Sequence, residues 1–419
     1  MYDWANSAFI TTVVTAVFPI YFASLATAGD QMSKADATGK LSLTTTIAMA
    51  IGAVLAPILG AIGDRVPIKK KLLAAFLLIG AGATGAMYFL QAGRWVMAAW
   101  LFGVGNVAAT CSFVFYDSLL PHIASRDEVD RVSTAGYALG YVGGGILLAL
   151  QLAAIANPQW FGVGEGSDAV VRAVFVSVAA WWLFFSIPLF RRVPEPPTTV
   201  DSNAPRTAAI VGRSLVGLIQ TLRELKHHRQ ALLFMFAFLI YNDGIGTIIR
   251  MAAIYGDEIG IESGILIQAI LMTQFIGIPC SFAFGGLAGK LGTKKAIFVG
   301  LSVYCLVSVL GYFMSEGWHF LLLAALVGMV QGGTQALSRS LFSSLIPKQK
   351  SAEFFGLFAV FERFAGVLGP LVFTLVIVAL GSSRTAILSV IGFFIIGAFL
   401  LTRVDVEAGQ AAAREAEQP

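Results

Sequence analysis

Twelve stretches of roughly twenty predominantly apolar residues, divided by short polar segments, leave this 419-residue chain few folds to choose from. They lie near 6–28, 42–63, 72–91, 95–116, 132–156 and 172–190 and, after a long polar stretch, near 231–255, 264–287, 296–314, 319–342, 353–379 and 385–402. About 20 apolar residues in an α-helix cross the hydrocarbon layer. Inside lipid the backbone must satisfy its own hydrogen bonds, which a helix does within one segment. The expected class is therefore an all-α membrane protein with twelve transmembrane helices. Charged residues are 12% of the chain, half the roughly 25% of a soluble domain, so most of the surface is built for lipid.

The formal net charge of +4 does not point to a nucleic-acid partner, because the basic residues fall in short loops rather than in one patch. Their distribution orients the chain instead. Of its 28 Lys and Arg, 20 lie in segments that share one side: 64–71, 126–131, 191–230, 290–295, 347–350 and the C-terminal tail. Five, Lys34, Lys40, Arg94, Arg172 and Arg384, lie on the other. Both termini are thus expected on the cytoplasmic side of the cell membrane. The expected domains are an N-terminal six-helix bundle (1–190), a cytoplasmic linker (191–230), a C-terminal six-helix bundle (231–402) and a cytoplasmic tail (403–419). Within the linker Val211, Leu215, Leu218, Leu222 and Leu225 recur at helical spacing opposite basic residues. That pattern predicts an amphipathic helix, lying on the membrane face or packed on the bundle.

The first apolar run has no basic segment before it and reads as a span rather than a cleavable signal. Cys111, Cys280 and Cys305 all fall inside apolar runs and read as buried free thiols, and the adjacent His227 and His228 sit in a basic loop. Neither pattern suggests a disulfide framework or a metal site. No Gly-rich Lys-Ser/Thr loop of the phosphate-binding kind occurs, so no cofactor and no ATP drive are expected from this chain.

The chain repeats itself. GAIGDRVPIKKK (60–71), after the second span, matches GGLAGKLGTKKA (285–296), after the eighth, at an offset of 225. SLLP (118–121) and SLIP (344–347), after the fourth and tenth, match at an offset of 226. Two matches at nearly one offset indicate a duplicated six-helix unit with both copies in one orientation. Two such parallel repeats enclose a midplane cavity, and rocking one against the other alternates access to it.

The loop carrying Gly60, Asp64, Arg65 and Lys69 resembles the Gly-x-x-x-Asp-Arg signature of the major facilitator superfamily. Pro67 and Ile68 depart from it, and Gly289 replaces the Asp in the second copy. YDWANSAF (2–9), GYALGYVGGG (136–145) and YNDG (241–244) resemble more narrowly the branch of autophagy-related vacuolar effluxers and their bacterial relatives. FAVFERFAG (358–366) departs, placing Glu362 and Arg363 where small or hydroxyl residues are expected. The resemblance implies a secondary transporter of a small-molecule substrate; a monomer in the bilayer is expected, and coupling to protons or sodium is expected from Asp243 and Glu362. From its eukaryotic members it implies efflux of neutral amino acids. It also implies that Asp64 accepts hydrogen bonds from neighbouring spans when the cytoplasmic side is closed, with Gly60 and Arg65 beside it.

Ionisable residues at mid-bilayer cost at least ~2.5–3.5 kcal/mol to insert, so each requires a compensating role. Asp243 lies about a dozen residues into the seventh span, beside Tyr241 and Asn242, with Gly244 and Gly246 after it. The three polar side chains read as a substrate or ion site, and the glycines as a local break whose freed backbone groups line a cavity. Pairing of Asp243 with a neighbouring helix for packing alone is the rival reading. Asp3 and Asn6 in the first span are the counterpart by composition; Asp3 reads equally as a first-turn cap. Asn106, Thr110 and Asp117 share one face of the fourth span, and Gln331, Gln335 and Arg339 recur at i, i+4 and i+8 in the tenth. These stripes read as cavity-facing or as interhelical hydrogen-bonding positions, the latter averaging only ~0.6 kcal/mol. Asp117 and Arg339, near the cytoplasmic ends, read as a gating ion pair. Arg250, seven residues after Asp243, attracts a substrate carboxylate or snorkels. Glu362 is a second proton-carrier candidate, unless it pairs with Arg250 or Arg339. The glycines of 136–145 read as close-packing faces.

The expectation is a proton-coupled exporter or exchanger of a small polar metabolite, an amino acid foremost. The alternatives are a lipid scramblase and transport of sugars, peptides or drugs. An enzyme is disfavoured, since neither a His/Asp/Glu cluster nor a Ser/His pair sits at membrane depth.

Overall fold

The computed structural model describes residues 1–28, 32–162, 164, 168–197, 228–258, 260–366, 368–380 and 383–417. Every regular element among them is helical. The first half runs α1 (Tyr2–Ala8), a π-helical stretch (Phe9–Ala16), α2 (Phe18–Thr27), α3 (Lys34–Arg65), α4 (Lys69–Ala86), α5 (Trp95–Ile123), α6 (Val129–Ala156) and α7 (Ala169–Arg192). The second runs α8 (Arg229–Glu258), α9 (Ser263–Leu291), α10 (Thr293–Tyr312), α11 (Gly317–Ser344), α12 (Ser351–Phe364), α13 (Leu368–Leu380), α14 (Ser383–Thr402) and α15 (Val406–Glu415). Among the described residues ten helices are long and apolar enough to cross a membrane, or eleven with the bent first pair taken as one span. The apolar face expected over 211–225 lies outside the described residues.

Two of the expected spans are not single rods. The first turns by 41° between Ala16 and Phe18, where Pro19 occupies the first turn of α2 and withholds a backbone donor. Before the bend the ladder is π-helical, and the Thr15 hydroxyl donates to the Ile10 carbonyl five residues back at 3.0 Å. The eleventh, expected over 353–379, ends as α12 at Phe364 and resumes as α13 at Leu368. Gly366, Gly369 and Pro370 cluster there, residues that weaken or forbid helix interior.

The chain forms two compact units whose boundaries cut across the sequence repeat. One comprises Met1–Ala56, Ile68–Tyr116 and Leu139–Pro196; the other comprises Pro57–Pro67, Asp117–Ala138 and Pro197–Pro419. In the first, Phe18 stacks on Phe102 with ring centroids 4.7 Å apart, and Trp182 is fully buried. The α6 glycines do bring helices together: a side chain at Gly140 or Gly143 would run into Ser7 or the Trp4 backbone of α1. In the second, Phe238 of α8, Phe342 of α11 and Phe358 of α12 form a stacked core, with centroids 4.3 and 4.6 Å apart.

Each repeat closes its last span with a lysine. Lys70, second residue of α4, donates from Nζ to the carbonyls of Phe190 (3.0 Å) and Val193 (2.6 Å) at the end of α7. Lys294, second residue of α10, donates to those of Thr402 (3.0 Å) and Val404 (2.7 Å) at the end of α14. A cation at a helix C-terminus satisfies orphan carbonyls and complements the dipole. K70A and K294A are each expected to cost about 1–2 kcal/mol. In separate units, their effects on thermal unfolding should add; strong non-additivity would contradict this assignment.

The C-terminal segment 403–419, expected as a tail, carries a docked helix. Asp405 caps α15 by accepting from the Ala408 amide at 3.0 Å. Gly409 packs on Leu345 and Gln230, Ala413 is fully buried, and Gln410 donates to Ser344 at 3.2 Å. Arg126, between α5 and α6, donates to the Gln410 carbonyl at 3.0 Å and pairs with Glu417 at 3.4 Å.

Candidate functional site

Asp243 is the most deeply buried charged residue of the expected set, at 0% exposure. It sits on α8, which runs unbroken from Arg229 to Glu258, so the break expected at Gly244 and Gly246 is absent. Those glycines serve close approach instead: Gly244 lies against the ring of Phe394 and the Cβ of Phe393, and Gly246 beneath the Arg250 guanidinium. The broken helix is the neighbour. Asp243 Oδ2 accepts from the Gly369 amide at 2.9 Å, in the first turn of α13, with the Leu368 amide beside it. Its other oxygen, Oδ1, is shut off from solvent and has no hydrogen-bond partner among the described residues. Thr247 donates to the Asp243 carbonyl at 2.7 Å and packs on Gly369, where any side chain would collide with it. Arg250, two turns on, donates to the Ala365 carbonyl at 3.4 Å, just past the end of α12. It remains exposed at its surface.

The other expected site residues divide between the units. Tyr241 is fully buried and shares a 2.6 Å hydrogen bond with Ser338 of α11. Asn242, Gln331 and Gln335 are half-buried, and no other described residue engages their side-chain amides. Glu362 is exposed on α12; Arg250 and Arg339, its two expected partners, are committed elsewhere. In the first unit Asp3 is not a cap, since Met1 occupies that position; its carboxylate accepts from the Tyr116 hydroxyl of α5. Asn6 is buried beside it on α1. Asn106 is half-buried and turned back on its own helix, donating to the Phe102 carbonyl at 2.9 Å. A buried chain in this unit went unread in the sequence: Thr12 donates to Gln151 at 2.6 Å, and Gln151 to Ser177 at 2.9 Å. The lone Gln in the apolar fifth run was the available signal.

The residues expected to gate cluster where first-half helix ends pack on second-half helices. Asp64, 5% exposed, accepts from the amides of Ala352 (3.1 Å) and Glu353 (2.7 Å), capping α12. A carboxylate there meets orphan donors and the positive helix end. Gly60, one turn earlier, lies so close to the Ala352 carbonyl that a side chain would collide. Its repeat counterpart Gly285 lies equally close to the Thr134 hydroxyl. Arg65, at the end of α3, is half-buried. Arg339 pairs with Asp117 at 3.0 Å, donates to Ser133 Oγ (3.0 Å) and to its carbonyl (3.2 Å), and lies 4.7 Å over the Tyr137 ring. Asp130 accepts from Thr293 and Ser340. Ser133 and Asp130 were not anticipated, because their partners lie some 200 residues away.

Comparison with known proteins decides the family. The family model described as vacuole effluxer Atg22 like matches residues 31–414. The chain belongs to this Atg22-like family. It is therefore a secondary transporter of the major facilitator superfamily and not an enzyme, which bears out the resemblance read from the sequence. Among curated relatives, the uncharacterised MFS-type transporter YxiO of Bacillus subtilis is 36% identical over 97% of this chain and 94% of its own. Autophagy-related protein 22 of Yarrowia lipolytica is 26% identical over 84% of this chain and 73% of its own. Solved structures share the fold at low identity. The transporter FucP in an outward conformation superposes with a TM-score of 0.69 at 13% identity, over 96% of this chain and 98% of its own. A double Trp mutant of XylE gives 0.73 at 15%, over 98% and 96%. The Atg22-like chain thus has the major facilitator fold, with a carboxylate buried in its seventh span.

Proposed function

We propose that this protein exports or exchanges a small polar metabolite, an amino acid foremost, by proton-coupled alternating access in the cell membrane. The observation that carries the reading is Asp243: a carboxylate at zero exposure in an apolar span, with one oxygen matched and one unmatched among the described residues. Such a group needs a compensating partner, and a proton taken up at Oδ1 supplies one. Asn242, Gln331 and Gln335 offer unengaged amides for substrate, and Asn6, Asp3 and Asn106 are the first-half candidates. Export as the direction is supported by the family description, vacuole effluxer. Asp64 with Gly60 and Arg65, and Arg339 with Asp117, form contacts that opening must break. The distribution of basic loops supports a cytoplasmic location for this end and for both termini.

The substrate class is tested by thermal unfolding of purified protein against amino acids, peptides, sugars and nucleosides. A ligand at 100 times its Kd stabilises by about 2.7 kcal/mol. A neutral amino acid should raise the melting temperature and exchange across proteoliposome membranes. Stabilisation only by another class, or translocation of labelled lipid alone, would replace the reading.

A further inference from the structure

The polar residues of α8 engage the discontinuity in its neighbour from both sides. Asp243, an anion, holds the start of α13 through the Gly369 amide. Arg250, a cation, holds the residue just past the end of α12 through the Ala365 carbonyl. Each charge has the sign that its helix end favours. Seven residues of α-helix separate the two grips by about 10 Å, so one rigid rod braces both sides of the break. Thr247, between them, is packed directly on Gly369.

We propose that this brace is a proton-operated clamp on the eleventh span: a proton bound at Asp243 Oδ1 loosens the hold on α13, while Arg250 keeps its hold on α12. The inference rests on the proposed proton coupling and says what the proton moves. A hydronium ion gives its proton to Oδ1, the oxygen with no partner among the described residues: one O–H bond breaks in the donor, one forms on the acid, and water is left behind. Oδ2 then becomes the carbonyl oxygen of a neutral acid. Its bond from Gly369 loses charge assistance, and charge-assisted bonds are roughly twice as strong as neutral ones. The attraction between the carboxylate and the first-turn amides of α13 is lost with the charge. Arg250 is unaffected at its carbonyl, since Ala365 does not titrate.

Few other charges act on this point. Arg250 is the charged side chain whose field reaches Asp243. α13 contains no ionisable side chain, and on α14 Arg384 lies nine residues from Phe393. Tyr304 of α10 stacks on Phe394 at 5.4 Å, and Cys305 follows it. Arg339 of α11 is paired to Asp117, and Glu362 of α12 is exposed. No second carboxylate competes at the first turn of α13 among the described residues.

The test is hydrogen–deuterium exchange of the full-length protein in lipid nanodiscs at two pH values, corrected for intrinsic chemistry and read on peptides covering 366–375. Exchange at the start of α13 should quicken roughly five- to tenfold at the lower pH. D243N keeps a neutral acceptor for Gly369 and should show the fast rate at both pH values. R250A should quicken exchange around 360–366 at both, while α13 still responds to pH over a range displaced by the loss of the Arg250 field on Asp243. An α13 rate that ignores pH in the wild type overturns the clamp, as does an unchanged pH response in D243N. The wild-type titration decides the matter even where a variant does not fold. Loss of proton-driven flux in D243N with a pH-indifferent α13 would retain the coupling role and discard the clamp. A pH-dependent α13 with proton drive intact in D243N would discard the coupling role instead.

Discussion

Arg339→Ala is expected to destabilise the protein by about 3 kcal/mol, because removing one member of a largely buried ion pair strands its partner. Arg339 is 8% exposed and Asp117 22%. The arginine also holds Ser133 through Nε and Nη2 and covers Tyr137, so the loss includes three interactions beyond the pair. Lysine at 339 should recover only part, since a single ammonium cannot reproduce the planar fork. The melting temperature should fall by several degrees in R339A. A D117N/R339A double variant should lose less than the sum of the singles, the mark of directly interacting residues. On the proposed gating role, the same variant should label faster than wild type at a cysteine introduced at Ser133, because the contacts of Arg339 are gone. Unchanged labelling together with additive stabilities would remove Arg339 from the gating role.

Periodicity and composition made the helices legible, because lipid leaves the backbone so little choice. The two repeated loop motifs made the duplication legible, and the YNDG and Asp-Arg stretches led to the family. The sequence pattern pointed to Asp243 by cost alone, since a carboxylate in an apolar run must have a role. Its partner was beyond such reasoning. Gly244 and Gly246 suggested a break in the seventh span, yet the cluster Gly366, Gly369 and Pro370 breaks the eleventh. Glycine is ambiguous within membrane helices: it loosens a helix but also admits a neighbour, and here the Phe394 ring and the Phe393 Cβ occupy the space at Gly244. Proline alone does not mark a break either, since Pro57, Pro188 and Pro279 lie inside continuous helices; at the eleventh span it is a proline beside two glycines that coincides with one. The lysine caps at 70 and 294 were hidden for a different reason. They read as positive-inside residues, and only tertiary proximity to the carbonyls of Val193 and Val404 gives them a structural task. Ser133 and Asp130 carried no local signal, because a hydroxyl or carboxylate at a helix start usually serves its own helix.

Asp243→Asn should abolish proton-driven transport while leaving a folded protein. Asparagine matches the shape of the protonated acid and keeps an acceptor for the Gly369 amide, so the packing of α8 on α13 survives. It cannot take up or release a proton, so a pH gradient has nothing to act on at this position. An apolar replacement such as Asp243→Leu should do worse, since it strands the Gly369 donor in the core at a cost of about 1–3 kcal/mol. The direct measurement is flux of the substrate identified by thermal stabilisation, in proteoliposomes with and without an imposed pH gradient, and with a sodium gradient as the control arm. Wild-type protein should respond to the pH gradient and D243N should not, its flux being the same with the gradient as without. Gradient-driven flux of wild-type size in D243N, or drive by sodium alone in both proteins, would contradict the account.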